Sequence, residues 1–202
     1  GRDDYAGTRP DALVLPKVSE PDEVRAIELI LRSLTQDHFP LIIQIETARG
    51  VDAAMEIGAA SENVSALLFG AIDLAAEIGC AVEWDALLYS RSKVVLAAAA
   101  AGISAIDAPY MDVAALEALG DESRRSRRLG FVGKVAIHPR QVPVIQDSFS
   151  PTDEEVAWAR KVVAAYESQK GGVFLLDGKL IERPVFLAAQ RTLQTGQVDG
   201  GD

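Results

Sequence analysis

Seven polar residues stand where apolar runs stop: Lys17, Glu46, Thr47, Arg49, Asp73, Asp107 and His138. Glu46 follows Leu41-Ile-Ile-Gln-Ile45, and Asp73 closes the run that starts at Ser65. Apolar runs of this length, bounded by turn signals, read as strands buried on both faces in a parallel sheet. Ligands collect at the carboxyl ends of such strands, so polar residues gathered there are candidates for chemistry. Glu46 and Asp73 fall on consecutive strands, which neighbour each other at about 4.8 Å. Two carboxylates that close repel when both are ionised. A hard divalent cation removes the repulsion and leaves positions for water and substrate oxygens, the usual manner of holding Mg²⁺. Zinc is disfavoured, because His38 and His138 are the only histidines and neither stands in ligand spacing to Cys80. Lys17 is a candidate catalytic cation, and Arg49 and His138 are candidate substrate contacts. Each also has a plainer reading: a solvated lysine, an ion pair with a nearby acid, and a loop residue held extended by Pro139.

The elements that must position these residues repeat. Strands are expected over 11–17, 41–46, 65–73, 104–107 and 130–138. After the first, Ser19 caps a helix whose apolar stripe is Val24, Ile27, Ile30, Leu31 and Leu34. Further helices are expected over 51–60, over 85–101 up to Gly102, and over 113–129. The last of these gathers Arg124, Arg125, Arg127 and Arg128 in its final turns, where cations suit the helix dipole. Thr152 and Glu155 form a capping box. Asp177-Gly178 joins two short strands over 173–181, and a helix over 184–193 follows. Five βα units imply a parallel sheet. It is either an open doubly wound sheet or five staves of an eight-stranded barrel. No Gly-x-Gly-x-x-Gly follows any strand, which weakens the dinucleotide-binding version. The expected organisation is a partial barrel over 1–150 and a helix–hairpin–helix extension over 151–202.

Bulk properties narrow the function classes. In 202 residues, 49% are apolar, enough for a sizeable core. Twenty basic against thirty acidic residues leave a net charge of −10, which argues against nucleic-acid binding. Cys80 is the single cysteine, so no internal disulfide forms and a reducing compartment fits. No apolar run of membrane-spanning length and no signal-peptide pattern is evident. A cytoplasmic protein without membrane partners is expected.

Several motifs carry a family resemblance. They are Leu15-Pro-Lys17, Ile45-Glu-Thr-Ala-Arg-Gly50, Phe69-Gly-Ala-Ile-Asp-Leu74, Tyr89-Ser-Arg91, Gly130-Phe-Val-Gly-Lys134, Ile137-His-Pro-Arg-Gln141 and Phe149-Ser-Pro151. Together they resemble the HpcH/HpaI aldolase and citrate lyase superfamily, in the citrate lyase β-chain-like branch that includes malyl-CoA and citramalyl-CoA lyases. The resemblance implies a modified TIM barrel assembled as a homotrimer or hexamer. It places the family's metal-binding Glu and Asp on Glu46 and Asp73, with Mg²⁺ as cofactor and Glu46 also at the substrate. The implied reaction breaks or forms a carbon–carbon bond in a 3-hydroxyacyl-CoA or acyl-carrier thioester. It yields an acetyl thioester and a small oxo-acid through an enolate.

Two departures from the family pattern stand out. The family's first strands, with a substrate-binding arginine and an Asp-Leu-Glu-Asp-type run, have no counterpart here. Eight staves less five leave three unaccounted for, so this stretch is not expected to close a barrel by itself. The family's acid/base Asp, which reaches a neighbouring subunit's site, corresponds to Glu182, one methylene longer. A metal-dependent aldolase joining pyruvate to an aldehyde, or a non-catalytic barrel subunit, are the alternative functions.

Overall fold

In the computed structural model, which describes residues 10–34, 39–169 and 171–198, the chain opens with β1 (Leu13–Leu15) and α1 (Pro21–Leu34). β2 (Leu41–Ile45), α2 (Ala48–Asp52), α3 (Ala54–Gly58) and β3 (Val64–Phe69) follow. Next come α4 (Ala71–Ile78), α5 (Trp84–Ala101), β4 (Ser104–Asp107), α6 (Leu116–Leu129) and β5 (Gly133–Lys134). The order ends with α7 (Gln141–Phe149), α8 (Asp153–Ser168), β6 (Phe174–Leu176), β7 (Lys179–Ile181) and α9 (Arg183–Val198). His38, residues 1–9 and the tail beyond residue 198 lie outside the described residues.

β1 to β5 pair in parallel, in chain order, as one sheet. A doubly wound sheet reverses its strand order part-way, and this one does not. Sequential parallel strands with helical crossovers are barrel staves, here an open arc of five. Burial along the staves has two grades. Leu41, Ile43 and Ile45 of β2 are buried, while Ile42 and Gln44, on the other face, are half-buried. Helices α3 and α5 pack against β2, β3 and β4. Small side chains let them approach closely: a Cβ at Gly58 would lie 3.2 Å from the Ala101 Cβ. No helix among the described residues is long and apolar enough to cross a membrane.

The chain divides into two compact units, Gly1–Ile145 and Gln146–Asp202, with the boundary inside α7. In the second unit α8 packs on α9 around Ala159, Val162, Ile181 and Ala189. Tyr166 stacks on Phe186 with ring centroids 4.4 Å apart. Thr152 and Glu155 close the capping box of α8 in both directions. The β6–β7 turn places Asp177 (φ 50°) and Gly178 (φ 76°) in left-handed conformations, as a two-residue type I′ hairpin requires.

Several elements differ from the sequence reading. The helix expected over 51–60 is two, α2 and α3, and α4 was not expected, its first turn falling within the strand expected over 65–73. β3 stops at Phe69, because Gly70 leaves the extended region and serves as N-cap of α4. Asp73 therefore sits in the first turn of a helix and not at the end of a strand. β5 keeps only two residues, since Gly130 (φ 119°) is spent as the C-cap of α6. Helix α7 was not expected, because Pro143 reads as a breaker. It occupies the first turn, where no N–H is needed.

Candidate metal centre at the strand ends

Glu46 directly follows β2 and is 2% exposed. Its Oε1 accepts the backbone N–H of Lys17 at 2.9 Å, and its Oε2 accepts Nε2 of Gln44 at 2.5 Å. Gln44 reaches it because residues two apart share a face of an extended chain. Gly70 closes the seat from the next stave, its N–H donating to the Ile45 carbonyl at 2.9 Å. A Cβ at Gly70 would fall 2.3 Å from the Glu46 Cβ and 2.9 Å from Oε2. Only glycine fits against this carboxylate.

Asp73 is half-exposed at the amino end of α4, where the helix dipole favours a negative charge. Lys17 brings the two acids under one residue. Its backbone is left-handed (φ 56°), an uncommon state for a non-glycine, and this turns its N–H onto Glu46. Its Nζ lies 3.5 Å from Oδ1 of Asp73.

Burial pushes the Glu46 carboxyl above its ordinary range. The Lys17 N–H opposes this, the Asp73 charge adds to it, and the Gln44 amide and Lys17 charge oppose it without cancelling the rise. Glu46 is thus a buried acid without full compensation, beside a second acid.

The other strand-end residues do not join this cluster. Thr47 caps α2, its Oγ1 accepting the Gly50 N–H at 2.9 Å and sharing a hydrogen bond with Ser19 Oγ at 2.9 Å. Arg49 is exposed and pairs with Glu20 at 2.5 Å. His138 Nδ1 accepts the Arg140 N–H at 3.1 Å and steadies the turn into α7. Glu182 is exposed in the second unit, ahead of α9.

Asp107 belongs to a separate buried network. It accepts from Arg91 Nε at 3.1 Å, Ser126 Oγ at 2.5 Å and Lys134 Nζ at 2.8 Å. Lys134 also donates to Glu122 at 2.7 Å. The Arg91 guanidinium lies between the Phe69 and Trp84 rings, 5.0 and 4.9 Å from their centroids. Its Nη1 finds no hydrogen-bond acceptor. The Trp84 ring lies against both Arg91 and Arg125, 4.9 and 4.5 Å from their guanidinium carbons. The basic cluster of α6 is partly paired, Arg124 with Asp121 one turn away and Arg125 with Asp85 of α5.

An open pocket of about 430 Å³ lies over the carboxyl ends of β3 and β4, lined by Ile72, Val82, Pro109 and Met111 among others. Its lining includes Ala71 and Ile72 of the first turn of α4, the turn that also carries Asp73.

The donor set suits a hard divalent cation. Two carboxylates face one another's charge, one of them buried and under-compensated. No cluster of three or more His, Cys, Asp or Glu able to hold a metal occurs among the described residues. A cation here would draw its remaining oxygens from water and substrate, as Mg²⁺ does.

The model of the HpcH/HpaI aldolase/citrate lyase family matches residues 1–139. The chain belongs to this family. Membership places it among carbon–carbon lyases and accounts for the sequential parallel staves as those of an incomplete TIM-type barrel. A citrate lyase subunit beta-like protein of Mycobacterium tuberculosis is 36% identical over 196 residues, covering 94% of this chain and 68% of that protein. The mitochondrial citramalyl-CoA lyase of Rattus norvegicus is 34% identical over 200 residues, covering 90% of this chain and 59% of the enzyme. The crystal structure of CitE from M. tuberculosis with magnesium, acetoacetate and coenzyme A superposes at a TM-score of 0.78. It is 32% identical, and the match covers 96% of this chain and 71% of that one.

Proposed function

We propose that this chain carries the metal-binding acids of a Mg²⁺-dependent lyase acting on a 3-hydroxyacyl thioester. One observation carries the reading: the buried, under-compensated Glu46 beside Asp73. The complex of CitE with magnesium, acetoacetate and coenzyme A supports it. Relatives named citramalyl-CoA lyase and (3S)-malyl-CoA thioesterase point to a thioester substrate. Bound Mg²⁺ supplies a Lewis acid that polarises the oxo-acid carbonyl.

The chain's own residues do the rest. Gln44, the Lys17 N–H and Gly70 fix the Glu46 carboxylate before any ligand arrives. Such pre-set geometry is worth orders of magnitude in rate. The pocket beyond Ile72 is mostly apolar, and its charged members are Arg91, Asp112 and Glu122. It accommodates an uncharged acyl or pantetheine segment. In cleavage, the 3-hydroxyl gives up its proton to a base and becomes the oxo group as the C2–C3 bond breaks, and the electron pair left on C2 takes up a proton. Glu182 from another copy of the chain, in a homo-oligomer, is the proposed acid/base: its carboxylate accepts the hydroxyl proton and the resulting carboxyl returns one to C2.

The test is release of acetyl-CoA from malyl-CoA or citramalyl-CoA by the full-length protein, with and without MgCl₂. Turnover that needs Mg²⁺ and falls more than about a hundredfold in Glu46→Ala is expected. Absence of metal-dependent turnover on every 3-hydroxyacyl thioester offered would overturn the reading.

A further inference from the structure

We propose that Lys17 is a resident counter-ion of the Glu46–Asp73 pair, which a divalent cation must displace from Asp73 in order to bind. The inference rests on the reading of that pair as a metal site.

Lys17 touches both acids, but by two groups of opposite character. The N–H on Glu46 is fixed by the left-handed backbone, and the 2.9 Å bond belongs to the fold. The ammonium on Asp73 hangs on a flexible four-carbon stem, 69% exposed, at 3.5 Å. The first contact persists whatever occupies the site. The second exchanges easily, because an exposed ion pair contributes little and its partners rotate freely.

Charge bookkeeping gives the exchange a direction. Without a metal, two adjacent carboxylates share one ammonium, which reduces their repulsion. With a divalent cation between them, the same ammonium is repelled and Asp73 becomes a ligand. Loading is therefore an ion exchange, and the bare site is quieter than its two acids suggest. A group placed for proton transfer would not need to contact both ligands of the metal. Lys17 is on this account a positioning residue, acting on cation loading and not on the reacting atoms.

Isothermal titration of MgCl₂ into the full chain at fixed ionic strength tests this. Lys17→Met keeps the stem and removes the charge. Lys17→Gly also eases the left-handed backbone while keeping the N–H on Glu46. Both are expected to bind Mg²⁺ about fivefold tighter than wild type, the equivalent of one exposed ion pair. Both are also expected to melt lower than wild type without metal and to recover that difference at saturating Mg²⁺. If either neutral variant binds Mg²⁺ no tighter than wild type, the inference is overturned while the metal site stands. If wild type takes up no Mg²⁺, or Glu46→Gln takes it up equally well, the metal-site reading itself fails.

Discussion

Two acidic centres stand at the carboxyl ends of alternate staves, β2 and β4, and have opposite fates. Asp107 is fully buried, yet Arg91, Lys134 and Ser126 all donate to it, and Glu122 balances the second cation. Burial raises its pKa, but the Lys134 and Arg91 charges and the Lys134 and Ser126 hydrogen bonds outweigh that, so it lies below the ordinary carboxylate range. Glu46 is nearly as buried but receives one N–H, one amide and a second acid for company, and its carboxyl rises. A strand-end carboxylate becomes scaffold where the fold supplies its cations. It becomes a candidate site where the cation at hand is the exposed Lys17 ammonium, paired to the adjoining Asp73.

Breaking the scaffold centre should have the largest effect. Asp107→Ala leaves Arg91 and Lys134 buried without their acid and is expected to lower stability by about 3–5 kcal/mol, read by urea denaturation. Because the native pKa of Asp107 is depressed, its contribution is complete above the unfolded value of about 3.9 and fades as pH falls below it. Melting curves taken downward from neutral pH should show that loss in wild type and lack it in the variant.

Gly70→Ala strikes the other centre through its wall. The added methyl meets Glu46, so about 1–3 kcal/mol of overpacking is expected, together with weaker Mg²⁺ binding by calorimetry. Unchanged binding would mean that the Glu46 seat is looser than its contacts imply. Glu46→Gln sharpens the contrast at the small end. It removes an under-compensated charge, so stability should stay within about 1 kcal/mol of wild type or rise, while Mg²⁺ binding disappears. A loss as large as that of Asp107→Ala would erase the distinction between the two centres.

The parallel sheet was legible because βα repetition implies one, but its strand order was not, since the repetition fits a doubly wound sheet as well as barrel staves and only the family motifs favoured the staves. Glu46 was legible as a candidate because it ends an apolar run. Asp73 was legible as a residue but not in its place, since Gly70 ends the strand three residues earlier. Gln44 was hidden inside the strand, although it is the one polar residue in Leu41–Ile45 and stands two before Glu46. The Asp107 network left no local trace, because its partners lie 16, 19 and 27 residues away in the chain. Apolar spacing at Val142, Ile145 and Phe149 could have revealed α7.

Leu41 pairs with Val64 and Ile42 with Ala66, so Ser65 is a residue too many, its hydroxyl donating to the Leu41 carbonyl at 3.2 Å. Beyond that step, Ile42 to Ile45 run level with Ala66 to Phe69, which delivers Gly70 opposite Glu46. Ser65 thus works as an expansion joint: excising it would shorten the stave upstream and leave the acid seat aligned. Excising Leu68 would slide a side chain into the space that only glycine can share.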